Sequence, residues 1–367
     1  MTNMVTDNNT AWQSVHDAIQ DAGKINIIVA GKTGVGKSTL INSIFRGELA
    51  RTGSGKPVTQ KTEEISKDGH PVCILDTKGL ELKDYQEIID QLASIIDERT
   101  HHHDADKHIH VAWLCIHEDG RRVEQAEIEL CRMFAEKQIP VIVAITKSRA
   151  DNGFRSEVGQ ILSMASAVVS VRAMEELLDE DGDQIILKPR GIDDLIINTA
   201  KLLPEAKQRA YANALNSRHA AATKLKIDQA NREVNIAAAA AGAVAATPIP
   251  FADAVALVPI QVSMLAKIGV TFGMELKSAT LTTLVTSTLG ASAATLIGRA
   301  LVTGVLKLFP GAGSAVGGTI AATTAVGLTK TLGNTYIKVL TAFIEDNPGA
   351  ELDIELIKSE MKKKMPF

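Results

Sequence analysis

The chain reads Gly31-Lys32-Thr33-Gly34-Val35-Gly36-Lys37-Ser38-Thr39 between two apolar segments of different periodicity. The segment before it, residues 25–30, is short, dense and β-branched, which is typical of a buried parallel strand. The segment after it repeats apolar residues at helical spacing, at Leu40, Ile41, Ile44 and Phe45. A glycine-rich turn between a strand and a helix is the setting that a phosphate-binding loop requires. The sequence therefore predicts that this turn binds phosphate groups.

The residue types of the loop fit that chemistry. Glycine tolerates positive φ, so the loop glycines allow successive backbone N–H groups to turn inward around a phosphate at a helix N-terminus. Lys37 carries a positive charge on a long stem that reaches the β- and γ-phosphates, and the Ser38 hydroxyl is placed to bind the Mg²⁺ that bridges them. We therefore expect Lys37 to act in catalysis and the nucleotide to be contacted by Thr33, Gly34, Val35, Gly36, Lys37, Ser38 and Thr39.

Length and charge bound the class of protein. The 367 residues exceed the usual size of one domain, so two domains are expected. Basic residues number 39 against 43 acidic ones, and the formal net charge of −4 gives no reason to predict a nucleic-acid partner. The N-terminal residues lack the basic region and following apolar stretch of a signal peptide. The three cysteines do not have the spacing of metal ligands. We expect a cytoplasmic protein, either free or peripheral to the inner membrane.

Strand-like and helix-like segments alternate over the first half of the chain. Apolar strand patterns recur at residues 25–30, 72–76, 110–116, 140–146 and 167–171, with helical periodicity between them. This alternation predicts an α/β fold with a mostly parallel sheet and flanking helices. Residues 63–66 are predicted to form an antiparallel edge strand.

The composition changes after Leu203-Pro204. Pro204 suits the first turn of a helix, and one long helix is predicted to run to about Glu233. The rest is rich in Ala, Gly, Thr and Val and is broken by proline–glycine segments, which predicts an all-α domain. Asn347 with Pro348 reads as the N-cap and first position of a last helix. The predicted division is an N-terminal helical extension over 1–23, a nucleotide-binding domain over 24–203 and a helical domain over 204–367.

Residues between the loop and the next strand predict a metal site that senses the third phosphate. Asp76 ends the apolar run 72–75, where its carboxylate can hold a magnesium-bound water, and the N–H of Gly79 can meet a γ-phosphate. Thr59 precedes the predicted edge strand and supplies a hydroxyl that completes the magnesium shell; Thr62 is the alternative. The predicted metal ligands are thus Ser38, Thr59 and Asp76, and Thr59 and Gly79 join Lys37 in catalysis.

Thr146 and Lys147 close the strand at 140–146, where the stem of a lysine covers a guanine ring in GTPases. The usual motif would place aspartate at position 149, but Arg149 stands there and Asp151 follows two places later. An aspartate that accepts from guanine N1 and N2 separates GTP from ATP, so Asp151 is expected to serve if the loop bulges. Ala173 lies at the position of a backbone contact with guanine O6.

Taken in order, these motifs resemble the Era-like and septin-like branch of the translation-factor-related GTPases, from about Lys24 to Leu203. The resemblance implies a P-loop GTPase fold, with guanine nucleotide as partner, Mg²⁺ as cofactor, GTP as substrate and GDP as product. Three later segments, 247–253, 265–273 and 309–314, look like a bacterial helical domain of unknown function that is found fused to such GTPases.

Leu80 stands where small signalling GTPases carry a glutamine that orients the attacking water. A leucine side chain cannot form a hydrogen bond to water, so GTP hydrolysis is expected to be slow. Alternatively, hydrolysis depends on a partner or on a homodimer across the GTPase domain. The first hypothesis is a GTPase switch whose nucleotide state is relayed to the helical domain. The alternative is a dimerising or membrane-associated scaffold with little turnover. An ATP-binding relative, suggested by Arg149, is a third hypothesis.

Three uncharged stretches raise the question of a membrane: residues 234–252, 278–298 and 308–329. Each approaches the roughly 20 residues that span a bilayer. Their content of Ala, Gly, Ser and Thr gains little from lipid and lets helices pack closely in water as well. A water-soluble helical domain is favoured, with reversible membrane contact and a true span as alternatives.

Overall fold

The computed structural model describes residues 23–47, 49–50, 63–67, 70–77, 85–180, 183–246, 252–274 and 319–364. Backbone contacts divide the chain into compact units, of which one is Gly23–Ala222 and the other contains Thr223–Phe367. We call them the first unit and the second unit. The first unit combines a sheet with helices, whereas the described part of the second unit is helical.

The first unit contains a six-stranded sheet, counted over the described residues, in the order β2-β3-β1-β4-β5-β6. Its strands are β1 (Ile25–Gly31), β2 (Glu63–Ser66), β3 (Val72–Asp76), β4 (Val111–His117), β5 (Val141–Thr146) and β6 (Ala167–Ser170). Only the β2–β3 pair is antiparallel among the strand pairs of this sheet. The predicted mostly parallel sheet and the antiparallel edge strand are therefore confirmed, each strand to within one residue at either end.

Helices cover both faces of this sheet. They are α1 (Lys37–Ile44), α2 (Tyr85–Thr100), α3 (Gln125–Glu136), α4 (Phe154–Ile161), α5 (Ile192–Leu202) and α6 (Glu205–Ala214). Apolar residues of α2, α3 and α4 pack on one face in a single cluster with residues of β1, β3, β4 and β5. On the other face Trp113 of β4 stacks on Phe45 at 5.8 Å between ring centroids and donates its indole N–H to Thr199 of α5 over 3.1 Å.

The strand order reverses at β1, in the centre of the sheet. β1 lies between β3 and β4, so the connections that follow it lead to opposite sides of the sheet. Such a switch point leaves a crevice at the carboxyl ends of the strands, where ligands bind in open α/β sheets. Gly31, the last residue of β1, is paired with Cys115 of β4. A Cβ on Gly31 would come within 2.3 Å of the Cys115 carbonyl oxygen, so only glycine permits this approach.

A two-stranded hairpin follows β6 and was not predicted. β7 (Glu176–Glu180) pairs antiparallel with β8 (Asp183–Leu187), both beyond the last strand that the sequence pattern predicts. Arg172 and Arg190 join the base of the hairpin through reciprocal backbone hydrogen bonds of 2.9 and 3.0 Å.

The single long helix predicted from Pro204 to about Glu233 is wrong. α6 ends at Ala214, and the next helix, α7 (Ala220–Ala245), begins six residues later. Leu215 leaves the helix to form an isolated antiparallel bridge with Phe45, and the Asn216 N–H donates to the Ile44 carbonyl over 2.8 Å. At Leu215 and Asn216, these backbone contacts with the C-terminal end of α1 take the place of helical hydrogen bonds. α6 therefore belongs to the first unit, Gly23–Ala222.

The second unit contains most of α7 and, beyond it, α8 (Ala252–Phe272), α9 (Thr319–Asp346) and α10 (Ile354–Lys364). The all-α character predicted for the C-terminal region is confirmed for the described residues. Glycine lets α9 approach its neighbours closely, because a Cβ on Gly333 would meet Val234 at 2.4 Å and the Met264 sulfur at 3.1 Å. The core of these helices consists mainly of larger apolar side chains, among them Leu265, Tyr336 and Leu340.

The start of the last helix differs from the prediction. Asn347 does not cap it: the Asn347 N–H and side-chain amide both donate to Phe343, so this residue closes α9 instead. The N-cap position falls to Asp353, whose carboxylate accepts from the N–H groups of Glu355 and Leu356 over 2.9 and 3.1 Å. Proline after a helix end is as compatible with a stop as with a start, so the motif alone could not decide.

None of the helices in the described residues is both long enough and apolar enough to span a bilayer. The uncharged stretch 278–298 and residues 308–318 of the stretch 308–329 lie outside the described residues.

Candidate nucleotide-binding site

The glycine-rich loop joins β1 to α1 in a conformation that requires glycine. Gly34 and Gly36 have φ values of 76° and 98°, in the left-handed region. A Cβ on either residue would meet nothing within 4 Å, so backbone conformation rather than space selects glycine here. Gly36 is the N-cap of α1, whose first N–H groups have no acceptor within the helix. The loop therefore presents the amide-rich helix end to which phosphate binds.

Lys37 holds the loop together from within. Its ammonium group donates to the carbonyl oxygens of Gly31 and Lys32 over 2.9 and 3.1 Å, and the side chain is buried. A lysine ammonium has three hydrogens to donate. The same group can therefore brace the loop and carry a positive charge toward a phosphate.

Asp76 lies beside this loop at the end of β3. It is paired with Val29 of β1 and is only 2% exposed. Burial raises the pKa of the Cys115 thiol to about 12. The charge of Lys37 opposes this rise, and the charge of Asp76 adds to it. The predicted metal ligand and the predicted phosphate-binding lysine thus both lie near Cys115 of β4.

The oxygen donors at this point fit Mg²⁺. Ser38 lies in the first turn of α1 and offers a hydroxyl, and Asp76 offers a buried carboxylate. Hydroxyl and carboxylate oxygens are the ligands that magnesium takes from proteins. Two further predicted residues, Thr59 and Gly79, lie outside the described residues, as do Thr62 and Leu80.

A cavity of about 350 Å³ joins the phosphate loop to the segments predicted to hold the base. From the predicted set, the residues that line it are Val35, Gly36, Thr39, Thr146, Lys147 and Ala173. Other residues that line it were not predicted; they are Leu40, His117, Asp119, Arg149, Val171, Arg172, Met174, Glu175 and Glu176. Segments more than 100 residues apart in sequence therefore form one pocket.

The segment that carries Thr146 and Lys147 is held rigidly. The Thr146 hydroxyl donates to the Ile116 carbonyl over 3.2 Å, and Lys147 has a left-handed φ of 51°. Ser148 is fully buried, and its carbonyl and hydroxyl oxygens accept from Arg172 and Arg190, each over 2.6 Å. The two arginines at the base of the β7–β8 hairpin thus brace the predicted base-binding segment.

Asp151 is placed differently from the prediction. It does not line the cavity. Its carboxylate accepts from the Arg155 N–H over 2.8 Å and its carbonyl from the Phe154 N–H over 2.9 Å, so Asp151 starts the first turn of α4. In this structure the Asp151 carboxylate is bound at the N-terminus of α4 rather than in the cavity.

Acidic groups reach the cavity from elsewhere. Asp119, Glu175 and Glu176 line it, and Glu176 is bound by Arg149 through two nitrogens. This bond to Arg149 is the main reason that the pKa of Glu176 lies below its usual value. His117 also lines the cavity, and burial, aided by the charge of Lys147, lowers its pKa. The unusual arginine at position 149 was the one sequence signal for a compensating carboxylate.

Comparison with known families finds a match in each of two segments of the chain. Residues 26–147 match the family described as 50S ribosome-binding GTPase, and residues 210–352 match a domain of unknown function, DUF697. The chain thus carries a GTPase domain of that family followed by a DUF697 domain. The expected resemblance to these two groups is confirmed.

Individual similarities are partial. A probable GTP-binding protein engB is 23% identical, with 40% of this chain and 89% of that one covered and a TM-score of 0.32. Era from Aquifex aeolicus is 20% identical, with 50% and 58% covered and a TM-score of 0.36. The septin GTPase domain from Chlamydomonas reinhardtii is 19% identical, with 37% and 59% covered and a TM-score of 0.28.

Translocase of chloroplast 101 from Physcomitrium patens is 50% identical over 56 residues, which is 15% of this chain and 6% of that protein. Translocase of chloroplast 90 from Arabidopsis thaliana is 44% identical over 57 residues, 15% of this chain and 7% of that protein. The match thus spans only a small part of these curated relatives.

Proposed function

Because residues 26–147 carry a GTPase domain, we propose that this protein binds magnesium and guanine nucleotide and hydrolyses GTP slowly as a molecular switch. The observation that carries the proposal is the shared cavity, in which Gly36 and Thr39 of the phosphate loop face Thr146, Lys147 and Ala173. A nucleotide needs a phosphate site and a base site at opposite ends of one pocket, and these residues supply both.

Each residue has a role that follows from its place. The amides of residues 33–39 donate to phosphate oxygens, and Lys37 adds charge where negative charge develops. Ser38 and Asp76 hold Mg²⁺, Asp76 through a water. When bound, Mg²⁺ neutralises charge on the β- and γ-phosphates. The stem of Lys147 covers one face of the base.

The switch itself is assigned to the segment before β2 and the segment after β3. Thr59 is proposed to complete the metal shell and Gly79 to donate to the γ-phosphate, so loss of that phosphate releases both. Leu80 offers no group to orient water, which supports slow or partner-dependent turnover. The DUF697 domain is proposed to respond to the nucleotide state.

The first test is displacement of a fluorescent GDP analogue by GTP, GDP and ATP in the presence of Mg²⁺, followed by phosphate release from GTP. The proposal expects displacement by GTP and GDP, displacement by ATP only at far higher concentration, and slow release of phosphate. Equal competition by ATP would favour the ATP-binding hypothesis and contradict guanine recognition.

A second candidate is a dimerising or membrane-associated scaffold with little turnover. The observation that favours it is the β7–β8 hairpin beside the cavity, where the cross-strand pair Leu177 and Ile186 is 55% and 60% exposed. Exposed apolar pairs of this kind often mark contact surfaces. Light scattering and liposome flotation with GTP, with GDP and without nucleotide separate the candidates: assembly without phosphate release supports the scaffold.

A further inference from the structure

Recognition of guanine requires an acceptor at a defined place. The N1–H and the exocyclic amino group of guanine are both donors on one edge of the base, and a carboxylate accepts from both. The resemblance to GTPases places an aspartate for this purpose at position 149, which is Arg149 here. The Asp151 carboxylate accepts from the Arg155 N–H in the first turn of α4, and Asp151 does not line the cavity. The described site therefore needs another carboxylate if it reads guanine.

In the folded chain, the carboxylate of Glu176 lies against the side chain of Arg149. The Arg149 Nε donates to both carboxylate oxygens of Glu176, at 3.1 Å each, and Arg149 Nη2 donates to one of them. This paired geometry fixes the orientation of the carboxylate as well as its position. A carboxylate has about four acceptor sites, so the arginine fork leaves capacity for further donors.

Burial and charge distinguish Glu176 from the other acidic residues of the cavity. The side chain of Glu176 is 27% exposed, against 49% for Asp119, and Glu175 is exposed. The charge of Lys147, the residue predicted to cover the base, contributes to the lowered pKa of Glu176. Glu176 is therefore ionised, oriented and close to the lysine whose stem covers the ring.

The arginine is itself held in place. The Arg149 N–H donates to the buried carboxylate of Glu118, and the preceding Ser148 is fixed by Arg172 and Arg190. The same two arginines pair across the base of the hairpin that begins with Glu176. One network thus sets both members of the Arg149–Glu176 pair relative to the cavity.

We propose that Glu176, positioned by Arg149, accepts the N1 and N2 hydrogens of guanine and takes the role that an aspartate at position 149 would have. Glu176 is the specificity residue, and Arg149 is a positioning residue that acts through it. This inference rests on the proposed function, since it names the base-reading group of the same site.

The test compares GTP with xanthosine triphosphate, which carries a carbonyl in place of the 2-amino group. In Glu176→Gln the amide donates where the carboxylate accepted, so the preference for GTP over xanthosine triphosphate is expected to fall by about 100-fold. Glu175→Gln is the matched control, from the adjacent residue that lines the same cavity, and is expected to change the ratio less than about twofold. Displacement of a fluorescent GDP analogue gives both affinities.

Arg149→Gln is expected to weaken base selectivity without reversing it, because the carboxylate remains but loses its orientation. The readout is again the ratio of the two affinities, which a merely structural role would leave unchanged. Inosine triphosphate, which lacks the 2-amino group, gives a measurement on the unaltered protein: it is expected to bind about tenfold more weakly than GTP.

The outcomes separate this inference from the proposed function. If the unaltered protein binds GTP and Glu176→Gln keeps the full preference for GTP over xanthosine triphosphate, Glu176 does not read the base and the inference is overturned. The inference is also overturned if Glu175→Gln, rather than Glu176→Gln, loses the preference for GTP over xanthosine triphosphate. Failure of the unaltered protein to bind any guanine nucleotide would refute the proposed function itself.

Discussion

The ammonium group of Lys37 donates to the carbonyl oxygen of Gly31, six residues earlier, over 2.9 Å. The bond spans the glycine-rich loop and joins the start of α1 to the end of β1. The lysine therefore stabilises the loop itself, in addition to its proposed contact with phosphate. A substitution at this position therefore affects loop shape and charge together.

Lys37→Ala is expected to lower nucleotide affinity by about 100-fold, since a charged hydrogen bond to phosphate is worth about 1.5–3 kcal/mol. Calorimetric titration with GDP and Mg²⁺ measures the change. Lys32→Ala is the control, because Lys32 belongs to the same loop but forms an ion pair with Glu124. A melting curve for each variant separates lost binding from lost folding. Unchanged affinity in Lys37→Ala would refute the phosphate assignment.

Asp76→Asn is expected to reduce the part of nucleotide affinity that depends on magnesium. The substitution keeps the shape of the buried side chain but removes the charge that holds a metal-bound water. GDP binding measured with Mg²⁺ should weaken by about tenfold or more, whereas binding measured with EDTA should change little. Equal losses under both conditions would show that Asp76 acts only in the fold.

Gly333→Ala is expected to destabilise the second unit by about 1–3 kcal/mol, because the added methyl group would overpack the contact of α9 with Val234 and Met264. Gly327→Ala is a matched control on the same helix, since a Cβ there meets nothing within 4 Å. Alanine favours the helix over glycine, so the control should gain stability by up to about 1 kcal/mol. Urea denaturation of both variants measures the difference, and equal stabilities would contradict the close packing.

His110 predicts a loss of stability in mild acid. Burial, reinforced by the charge of Lys207, lowers the pKa of His110 to about 4 from an ordinary value of 6.5. Between pH 6.5 and 4 the unfolded chain thus binds a proton that the folded chain refuses, so stability falls as pH falls through this window. Above it the group contributes no pH dependence.

The stability of His110→Asn, followed by urea denaturation from pH 7.5 to 4.5, should decline less steeply than that of the unaltered protein. His110 accepts the Asn26 N–H through Nδ1 over 3.1 Å, so some stability will be lost at every pH. The informative quantity is the slope against pH. Parallel curves for the two proteins would show that other groups cause the acid sensitivity.

The strands were predictable because their signal is local. The apolar segments at 25–30 and 72–76 specify β1 and β3 to within a residue, since a buried parallel strand needs a short, continuous apolar run. The β7–β8 hairpin has no such run, and its Leu177 and Ile186 are exposed. No burial requirement marked it in the sequence.

The break between α6 and α7 was hidden for a related reason. The composition of residues 205–233 favours helix throughout, but Leu215 and Asn216 find backbone partners at the C-terminal end of α1, in Phe45 and Ile44. A partner about 170 residues away in the chain decides where that helix ends, and no local pattern records such a partner.

By itself, the sequence determined the phosphate loop, because its glycines and Lys37 are adjacent and their chemistry depends on local backbone conformation. It also determined that the sheet would be mostly parallel and the C-terminal region helical. Only the tertiary structure decided which carboxylate enters the cavity. Arg149 and Glu176 belong to different segments, and their pairing depends on how β5, β6 and the hairpin are placed. Asp151, nearer in sequence, is used by the start of α4 instead.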